Sequence, residues 1–420
     1  MTIVLGAIAD DFTGATDLAS TLVAEGMRVV QVLGLPDDDT DTGDADAVVI
    51  ALKSRTCEPG LAVRQSVAAC DWLRGRGATQ IVFKYCSTFD SSPRGNIGPV
   101  ADALLTATDT PLALVCPAFP ANGRTVYQGT LFVHELPLGE SSMKDHPLTP
   151  MRDSSLIRLM QAQSRHKCGL IALQTVRAGP EAIRTRIADL AAAGHRYAVA
   201  DALTDDDLRQ LGTAAADHGL VTGGSGIATG LPTNLRRSGR IGTASAPALP
   251  RAAGRSLVLA GSCSSATRAQ IARVKDTWPT RKIDVDAAAA GGAVAAAVEW
   301  TMAQPDDTPV LIYGSADPEE VAATQARYGA ERAGALVEDT LSGIARQLHG
   351  KGFDRIVVAG GETAGAVVTA LGATSLRIGP QIAPGVPWCD ALGAAPLALA
   401  LKSGNFGSET FFQDAFEMLT

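Results

Sequence analysis

An apolar run over residues 3–9 ends directly in two carboxylates, Asp10 and Asp11, and apolar residues then recur at helical spacing over 14–25. This pattern predicts a buried strand, a tight polar turn and an amphipathic helix. In open α/β sheets, ligands bind outside the carboxyl ends of the strands, where this turn would lie. Because adjacent carboxylates repel each other, we expect a cation or a hydroxyl-bearing ligand to stabilise them. The alternative is that Asp11 or Thr13 only caps the helix.

The same alternation continues along the chain and predicts an α/β fold with mostly parallel sheets flanked by helices. Further strands are predicted over 27–32, 47–51, 80–84, 112–115, 170–173, 197–200, 256–260, 309–313 and 355–359, and further helices over 181–193 and 331–349. A chain of 420 residues is too long for one typical core, so we expect two domains of this kind. Small, basic and proline residues without periodicity predict a linker over 236–253 between domains at 1–235 and 254–420.

Charge and composition exclude several classes of partner. The net charge of −8 and the absence of basic runs argue against nucleic acid. No apolar stretch is long enough to span a membrane. Seven cysteines without a C-x-x-C pair predict reduced thiols and a cytoplasmic location. Enzymes of this size are often two-fold dimers, so a homodimer is expected.

Polar side chains follow several predicted strands of the first domain. If the sheet is parallel, they meet at one edge and suit a small acid that bears several hydroxyl groups. Arg55 and Lys84 would bind its carboxylate, and carboxylates would accept from its hydroxyls. The candidate substrate-binding residues are Thr13, Asp17, Arg55, Lys84, Ser87, Thr88 and Asp90, with Asp201 at the same edge. The alternative is a structural Lys84–Asp90 ion pair with a plain turn at Ser87–Thr88.

Glycine-rich turns follow the predicted strands of the second domain, at 261–265, 314–315 and 360–363, and a tail motif covers 402–407. Such turns, leading into helix N-termini, expose backbone N–H groups that favour phosphate. Glycine also serves ordinary tight turns, which is the alternative. The motifs of P-loop enzymes, of the usual dinucleotide fold and of serine hydrolases are absent from the sequence. A metal at Glu140, Asp145 and His146, in a long excursion over 117–150, is a weaker alternative to a hydrogen-bonded loop.

Six segments together resemble the four-carbon acid sugar kinase family, in the family's order and over nearly the whole chain. They are 9–17, 84–99, 140–151, 261–264, 360–363 and 402–407. Within the family, the run 84–91 and the Gly-Asn-Ile-Gly-Pro at 95–99 look most like the enzymes that act on 3-oxo-tetronate. Ser92 stands where threonine is expected, which keeps the hydroxyl.

The resemblance implies a sugar-acid-binding domain followed by a nucleotide-binding domain. The implied reaction transfers the γ-phosphoryl group of ATP, with Mg²⁺, to the terminal 4-hydroxyl of a 3-oxo-tetronate. Asp10 or Asp11 is the expected catalytic base, or holds the metal through water. By position, the resemblance places ATP contacts at Ser262, Gly360, Gly361, Glu362, Thr363 and Gly404.

Other functions stay open at this point. A kinase for D-threonate or D-erythronate would share most of these motifs. A non-catalytic sugar-acid-binding protein would keep the first domain's residues without needing the glycine turns. An NAD-dependent dehydrogenase with an atypical glycine turn is a third alternative.

Overall fold

The computed structural model describes residues 3–145, 149–244, 246–393 and 395–419. The chain forms two compact units, Met1–Ala246 and Pro247–Thr420. Each unit is a sheet flanked by helices, so the α/β class predicted from the sequence is confirmed. The division falls inside the segment 236–253, whose role as a linker stays a prediction. Arg236 donates to the Glu25 carbonyl and Arg240 to Thr79, so the start of this segment packs onto the first unit.

The first unit is built on a parallel sheet in the strand order β2-β3-β1-β4-β11-β5-β10-β9. The strands of this unit are β1 (Leu5–Ala9), β2 (Val29–Leu33), β3 (Ala47–Ala51), β4 (Gln80–Lys84), β5 (Ala113–Cys116), β6 (Arg124–Tyr127), β7 (Thr130–Val133), β8 (Leu136–Pro137), β9 (Lys167–Ile171), β10 (His195–Ala200) and β11 (Leu220–Gly223). Its helices are α1 (Phe12–Ala24), α2 (Pro59–Gly75), α3 (Ile97–Ala107), α4 (Leu156–Gln163), α5 (Leu173–Arg177), α6 (Pro180–Ala192), α7 (Asp205–Ala214) and α8 (Leu231–Arg237).

The register of the central strands brings the polar turns together. Ala9 at the end of β1 pairs with Ala51 of β3 on one side and with Lys84 of β4 on the other. The segments that follow these three strands therefore leave the sheet at one edge. Helix α1 buries Leu18 and Leu22, which fixes the turn before it on the sheet.

The excursion predicted over 117–150 contains an antiparallel sheet of β6, β7 and β8. Its first turn is Gln128–Gly129, with both residues at positive φ. The N–H groups of Gln128 and Gly129 donate to the two oxygens of Asp201, at 2.8 and 2.9 Å, and Leu173 N donates to the same carboxylate at 3.0 Å. Asp201, expected with the polar residues at the sheet edge, thus anchors the hairpin in the structure.

The second unit has a mixed sheet in the order β13-β14-β12-β15-β18-β17-β16. Its strands are β12 (Arg255–Ala260), β13 (Thr280–Lys282), β14 (Val310–Tyr313), β15 (Phe353–Ala359), β16 (Ser375–Ala383), β17 (Val386–Ala391) and β18 (Ala398–Lys402). Its helices are α9 (Ser265–Val274), α10 (Val285–Ala289), α11 (Ala293–Met302), α12 (Pro318–Tyr328), α13 (Ala330–His349), α14 (Gly361–Ala370) and α15 (Phe411–Glu417). Strands β12 to β15 and β18 run parallel, whereas β16 and β17 pair antiparallel.

A buried cluster around Trp388, Phe411 and Phe412 packs α15 against the second sheet. This packing supports the end of β18 and the loop that follows it. Within the described residues, none of the helices combines the length and the apolar character needed to cross a bilayer.

Candidate functional site

The turn after β1 holds an ion-pair cluster. Arg55 donates from Nε to Asp10 Oδ2 at 2.9 Å and from Nη2 to Asp10 Oδ1 at 2.8 Å. The same Nη2 lies 2.7 Å from Asp11 Oδ1. One guanidinium therefore bridges both carboxylates, and this cation stabilises the adjacent charges at the strand end. Asn96 supports the loop of Arg55 by donating to the Ser54 carbonyl at 2.6 Å.

The two aspartates differ in how much of each carboxylate is free. Asp10 is buried, and both of its oxygens accept from Arg55. The side chain of Asp11 is 31% exposed. Burial raises the pKa of Asp11 above its ordinary value, against the opposing charge of Arg55. Burial by itself would lower the pKa of Arg55, but the charges of Asp10 and Asp11 raise it well above its ordinary value.

Helix capping accounts for only part of this turn. Asp11 is the N-cap of α1 and accepts from Gly14 N at 3.1 Å. Thr13 lies partly exposed in the first turn of α1. Capping leaves the bridge from Arg55 to both aspartates unexplained, so the capping alternative does not account for the whole segment.

Lys84, the last residue of β4, places a buried ammonium among these carboxylates. Its Nζ donates to the Tyr85 carbonyl at 3.0 Å. A Cβ at position 14 would lie 2.8 Å from this Nζ, so Gly14 leaves the space that the lysine occupies. Burial raises the pKa of Asp11 and of Asp17, and the charge of Lys84 acts against the rise at both.

Asp17 connects the cluster to two residues that the sequence analysis missed. Its Oδ2 accepts from Ser225 Oγ at 2.5 Å, and the charge of Arg124 also acts to lower its pKa. The Nε atom of Arg124 is buried and has no hydrogen-bond partner in the described part of the chain. Ser225 follows β11, whose four residues give a weak sequence signal, and Arg124 belongs to the excursion.

The loop after β4 carries the other predicted substrate residues. Thr88 Oγ1 donates to Asp90 Oδ1 at 2.5 Å. Ser87 lies beside Gly224, where an added Cβ would be 3.4 Å from the Ser87 Cβ. Asp90 is buried and lines a cavity of about 10 Å³ together with Asp10. Because Asp90 accepts from Thr88, we expect it to orient that hydroxyl. In the described residues, no ion pair joins Asp90 to a lysine.

Three loops of the second unit meet at the ends of β12, β15 and β18. A Cβ on Gly261 would lie 2.1 Å from Thr363 Oγ1, and a Cβ on Gly404 would lie 2.2 Å from Ser262 Oγ. Gly360 has a φ of 133°, and its added Cβ would be 3.1 Å from Ser262 N. The structure thus brings together loops from distant parts of the sequence, each of which carries a predicted nucleotide contact.

The N-terminus of α14 offers backbone donors at this cluster. Gly360 is its N-cap, and no side chain caps the helix. The Gly360 N–H donates to the Lys402 carbonyl at 2.9 Å, so it is engaged within the protein. The N–H groups of Gly361, Glu362 and Thr363 lie in the first turn, where a helix provides no acceptor. An uncapped N-terminus of this kind favours phosphate.

A cavity of about 170 Å³ adjoins these turns. It is bordered by Gly261 and Thr363, and its lining is mixed: apolar side chains such as Val285, Val321 and Val337, and the charged side chains of Lys282, Glu320 and Glu338. A larger and more open cavity of about 450 Å³ lies beside it and does not reach the glycine turns. Two ion pairs line that larger cavity, Lys282–Glu320 and Asp286–Arg327, so its charges are compensated within the protein.

No group of three or more histidine, cysteine, aspartate or glutamate side chains is arranged to hold a metal in the described part of the chain. The sequence analysis also considered a metal site at Glu140, Asp145 and His146, and one of these three residues lies outside the described part of the chain. His146, with Pro147 and Leu148 of the same motif, lies outside the described residues.

Comparison with known proteins identifies the family. A model described as a sugar-binding N-terminal domain matches residues 5–231, and one described as a nucleotide-binding C-terminal domain matches residues 257–412. The chain therefore belongs to the family that joins these two domains, and the resemblance to the four-carbon acid sugar kinases is confirmed.

The curated relatives bear a more particular name. The chain is 56% identical to a 3-oxo-tetronate kinase of Cupriavidus necator, covering 99% of this chain and 97% of the relative. It is 54% identical to a 3-oxo-tetronate kinase of Pseudomonas fluorescens over the same shares. A crystal structure from Salmonella typhimurium LT2 is similar with a TM-score of 0.91 at 46% identity, covering 98% of each chain.

Proposed function

We propose that this protein is an ATP-dependent kinase that phosphorylates the 4-hydroxyl of a four-carbon acid sugar, with 3-oxo-tetronate as its substrate. The observation that carries the proposal is the similarity, over nearly the full length of the chain, to relatives named 3-oxo-tetronate kinase. The residue clusters of the two units supply the two kinds of chemistry that this reaction needs.

The first unit would bind the sugar acid at its ion-pair cluster. Arg55 and Lys84 are the cations available to a carboxylate, and Arg124 adds a third cation beside Asp17. Arg55 is engaged with both aspartates, so its contact with a substrate carboxylate requires it to share its donors. Thr13, Asp17, Ser87 and Thr88 supply groups that can donate to or accept from sugar hydroxyls, a role that we keep for them from the sequence.

The second unit would hold the nucleotide. Phosphate oxygens would accept from the N–H groups of Gly361, Glu362 and Thr363 at the start of α14 and approach Ser262 and Gly404. Since Gly360 donates to the protein backbone, its part is to shape the turn. The adjoining cavity of about 170 Å³ would take the base between its valine side chains, with Lys282, Glu320 and Glu338 as polar contacts, and the phosphates would stay at the turns outside it.

Asp11 is the better of the two predicted catalytic aspartates. Both oxygens of Asp10 are bound by Arg55, whereas Asp11 keeps an exposed portion of its side chain. Phosphoryl transfer depends on alignment and on neutralised charge. Asp11 would orient the attacking hydroxyl and accept its proton, while Asp10 fixes the guanidinium that lies between the two carboxylates.

Mg²⁺ belongs to this proposal as the ion that accompanies ATP. When bound, it neutralises negative charge on the phosphates. Such ions keep phosphates and waters as most of their ligands and need only one or two carboxylates. The partly exposed carboxylate of Asp11 fits that requirement, directly or through water, and the described residues provide no larger cluster of ligands.

A coupled assay of ADP release tests the function directly. The purified protein would be given ATP and Mg²⁺ with 3-oxo-tetronate, D-threonate or D-erythronate, each in turn. We expect the highest kcat/KM with 3-oxo-tetronate. A higher kcat/KM with D-threonate or D-erythronate would change the proposed substrate but leave the proposed class of enzyme, an ATP-dependent kinase, unchanged. Binding of the acid without ADP release would instead favour a non-catalytic sugar-acid-binding protein.

Three further properties are proposed alongside the activity. We propose a homodimer, which light scattering of the purified protein tests. We propose a cytoplasmic location, supported by seven free cysteines in the structure. We also propose that nucleic acid is not a partner, supported by the net charge of −8.

A further inference from the structure

Lys402, the last residue of β18, places a buried ammonium behind the glycine turns of the second unit. It is 1% exposed. Its Nζ donates to Thr267 Oγ1 at 3.0 Å, to the Ser403 carbonyl at 3.1 Å and to the Gly404 carbonyl at 2.9 Å. An ammonium has three protons, so these bonds use its full donor capacity. All three acceptors are uncharged oxygens.

Among the described residues, the charge of Lys402 has no carboxylate partner. No ion pair joins it to an acidic side chain within the residues that the structure describes. The neighbouring strand β15 presents Ala359 beside it. The neighbouring helices carry charged residues of both signs, among them Arg268 of α9, Glu362 of α14 and Asp414 of α15. Glu362 is exposed, and Asp414 accepts from two hydroxyls of its own loop.

Burial without a partner charge makes the ammonium easier to deprotonate. The loss of hydration lowers the pKa of Lys402 to about 8. The ring of Phe411, 6.0 Å away, is the aromatic contact of this ammonium and does not carry a full negative charge. Within the described residues, the buried ammonium of Lys402 is therefore a cation without a carboxylate paired to it.

The same lysine holds two of the turns that would bind the nucleotide. Its carbonyl accepts from the Gly360 N–H at 2.9 Å, and its Nζ donates to the Gly404 carbonyl. The Gly404 carbonyl also accepts from Ser264 Oγ at 2.6 Å and from Thr267 Oγ1 at 2.9 Å. Lys402 therefore lies directly behind the surface that Gly360 and Gly404 present.

We propose that Lys402 is a positioning residue whose buried charge is compensated by the phosphates of the nucleotide, so that nucleotide binding is coupled to uptake of a proton by this lysine. This inference rests on the proposed function, since it requires a nucleotide at the glycine turns. It adds that the affinity for nucleotide depends on the protonation of a residue that does not itself contact the ligand.

The direction of the pH effect follows from the charges. Phosphate anions favour the charged ammonium, so the pKa of Lys402 is higher in the complex than in the free protein. At a pH near 8, about half of the free protein lacks this proton and takes it up on binding. Above that pH the dissociation constant rises, by up to about tenfold for each pH unit. Well below it, this lysine contributes no pH dependence.

Calorimetric titration of ADP with Mg²⁺ into the full-length protein tests the coupling. At pH 8, the observed heat would be compared in buffers of different ionisation enthalpy, which gives the number of protons exchanged. We expect uptake of about half a proton at this pH, increasing one pH unit higher. Because the measurement is made on the unaltered protein, it does not depend on how a variant folds.

Two variants assign the proton to this residue. Lys402→Met should bind ADP more weakly at neutral pH and lose the buffer dependence. The matched control is Lys275→Met, which removes an exposed lysine at the C-cap of α9 and should retain the uptake. Binding of ADP by the unaltered protein without proton uptake would overturn this inference and leave the proposed function intact. The absence of any ADP binding would overturn both.

Discussion

Replacing Gly404 by alanine would place a methyl group inside the cluster of hydroxyls at the proposed nucleotide site. The new Cβ would lie 2.2 Å from Ser262 Oγ, which is about 1 Å closer than ordinary van der Waals contact. Rotation of Ser262 relieves this contact only in part, because its Cβ would still be 3.2 Å away and Ser264 Oγ 3.0 Å away, which is tighter than ordinary contact. Rotation would also break the bond from Ser264 N to Ser262 Oγ. Once Ser262 has rotated, the loop after β18 or the loop after β12 must still shift by a few tenths of an ångström.

The size of the effect can be worked from this displacement. Inserting a methyl group into packed surroundings costs about 1–3 kcal/mol of folding stability. A loss of about 1.4 kcal/mol of binding free energy weakens affinity about tenfold, and the loops pushed apart are those that would contact the nucleotide. For Gly404→Ala we therefore expect the KM for ATP to rise by about 10- to 100-fold. The KM for the sugar acid should stay within about twofold, because the change lies in the second unit only.

Steady-state kinetics with each substrate varied in turn measure both constants, and urea denaturation measures the stability. The control is Gly350→Ala at the C-cap of α13, where φ is −62° and the nearest atom to an added Cβ is 3.8 Å away. An unchanged KM for ATP in a folded Gly404→Ala protein would refute the reasoning. So would an equal rise in the KM for the sugar acid.

Three further substitutions test the first unit. Asp11→Asn should lower kcat by about 100-fold or more, because a positioned general base contributes at least that much. Since burial raises the pKa of Asp11, the acid limb of the unaltered enzyme's pH–rate profile should lie above the ordinary aspartate range. That limb should be absent in the variant. Arg55→Lys keeps the charge but loses the planar guanidinium that bridges the two carboxylates, so kcat/KM for the sugar acid should fall at least about tenfold. An unchanged kcat/KM would show that charge alone suffices. Asp201→Asn leaves a backbone N–H of the β6–β7 turn without its carboxylate acceptor, so the free energy of unfolding measured in urea should fall by about 1–3 kcal/mol. An unchanged free energy of unfolding would show that other contacts hold the hairpin.

Periodicity predicted most of the parallel strands of both units, because buried parallel strands form nearly continuous apolar runs. The sequence analysis did not predict β11, β13 and β18 of the parallel sheets or the antiparallel strands β16 and β17. Strand β11 has four residues, and β16 contains Arg377, Gly379 and Pro380 within its span. The β6–β7 hairpin was read as part of a loop because its turn is Gln128–Gly129, whereas the common signals for such turns are Asn-Gly and Asp-Gly.

The site could be predicted as a set of residues but not as a set of contacts. The residues after each parallel strand meet at one edge by topology alone, so Asp10, Arg55 and Lys84 were expected together. Arg55 binds Asp10 through Nε and Nη2, and this depends on side-chain geometry, which the spacing of residues in the sequence does not encode. Arg124 and Ser225 reach the cluster from the excursion and from a short strand, where no periodic signal marks them.

Gly261, Gly360 and Gly404 come from points widely separated along the chain, and the last of them follows the hairpin of β16 and β17. Contacts of such high contact order form slowly, since the intervening chain must first be closed into a loop. We therefore expect the proposed nucleotide site to form only after the barrier to folding has been crossed. Nucleotide would then leave the refolding rate unchanged and slow unfolding, which makes ATP a kinetic stabiliser of this half of the molecule.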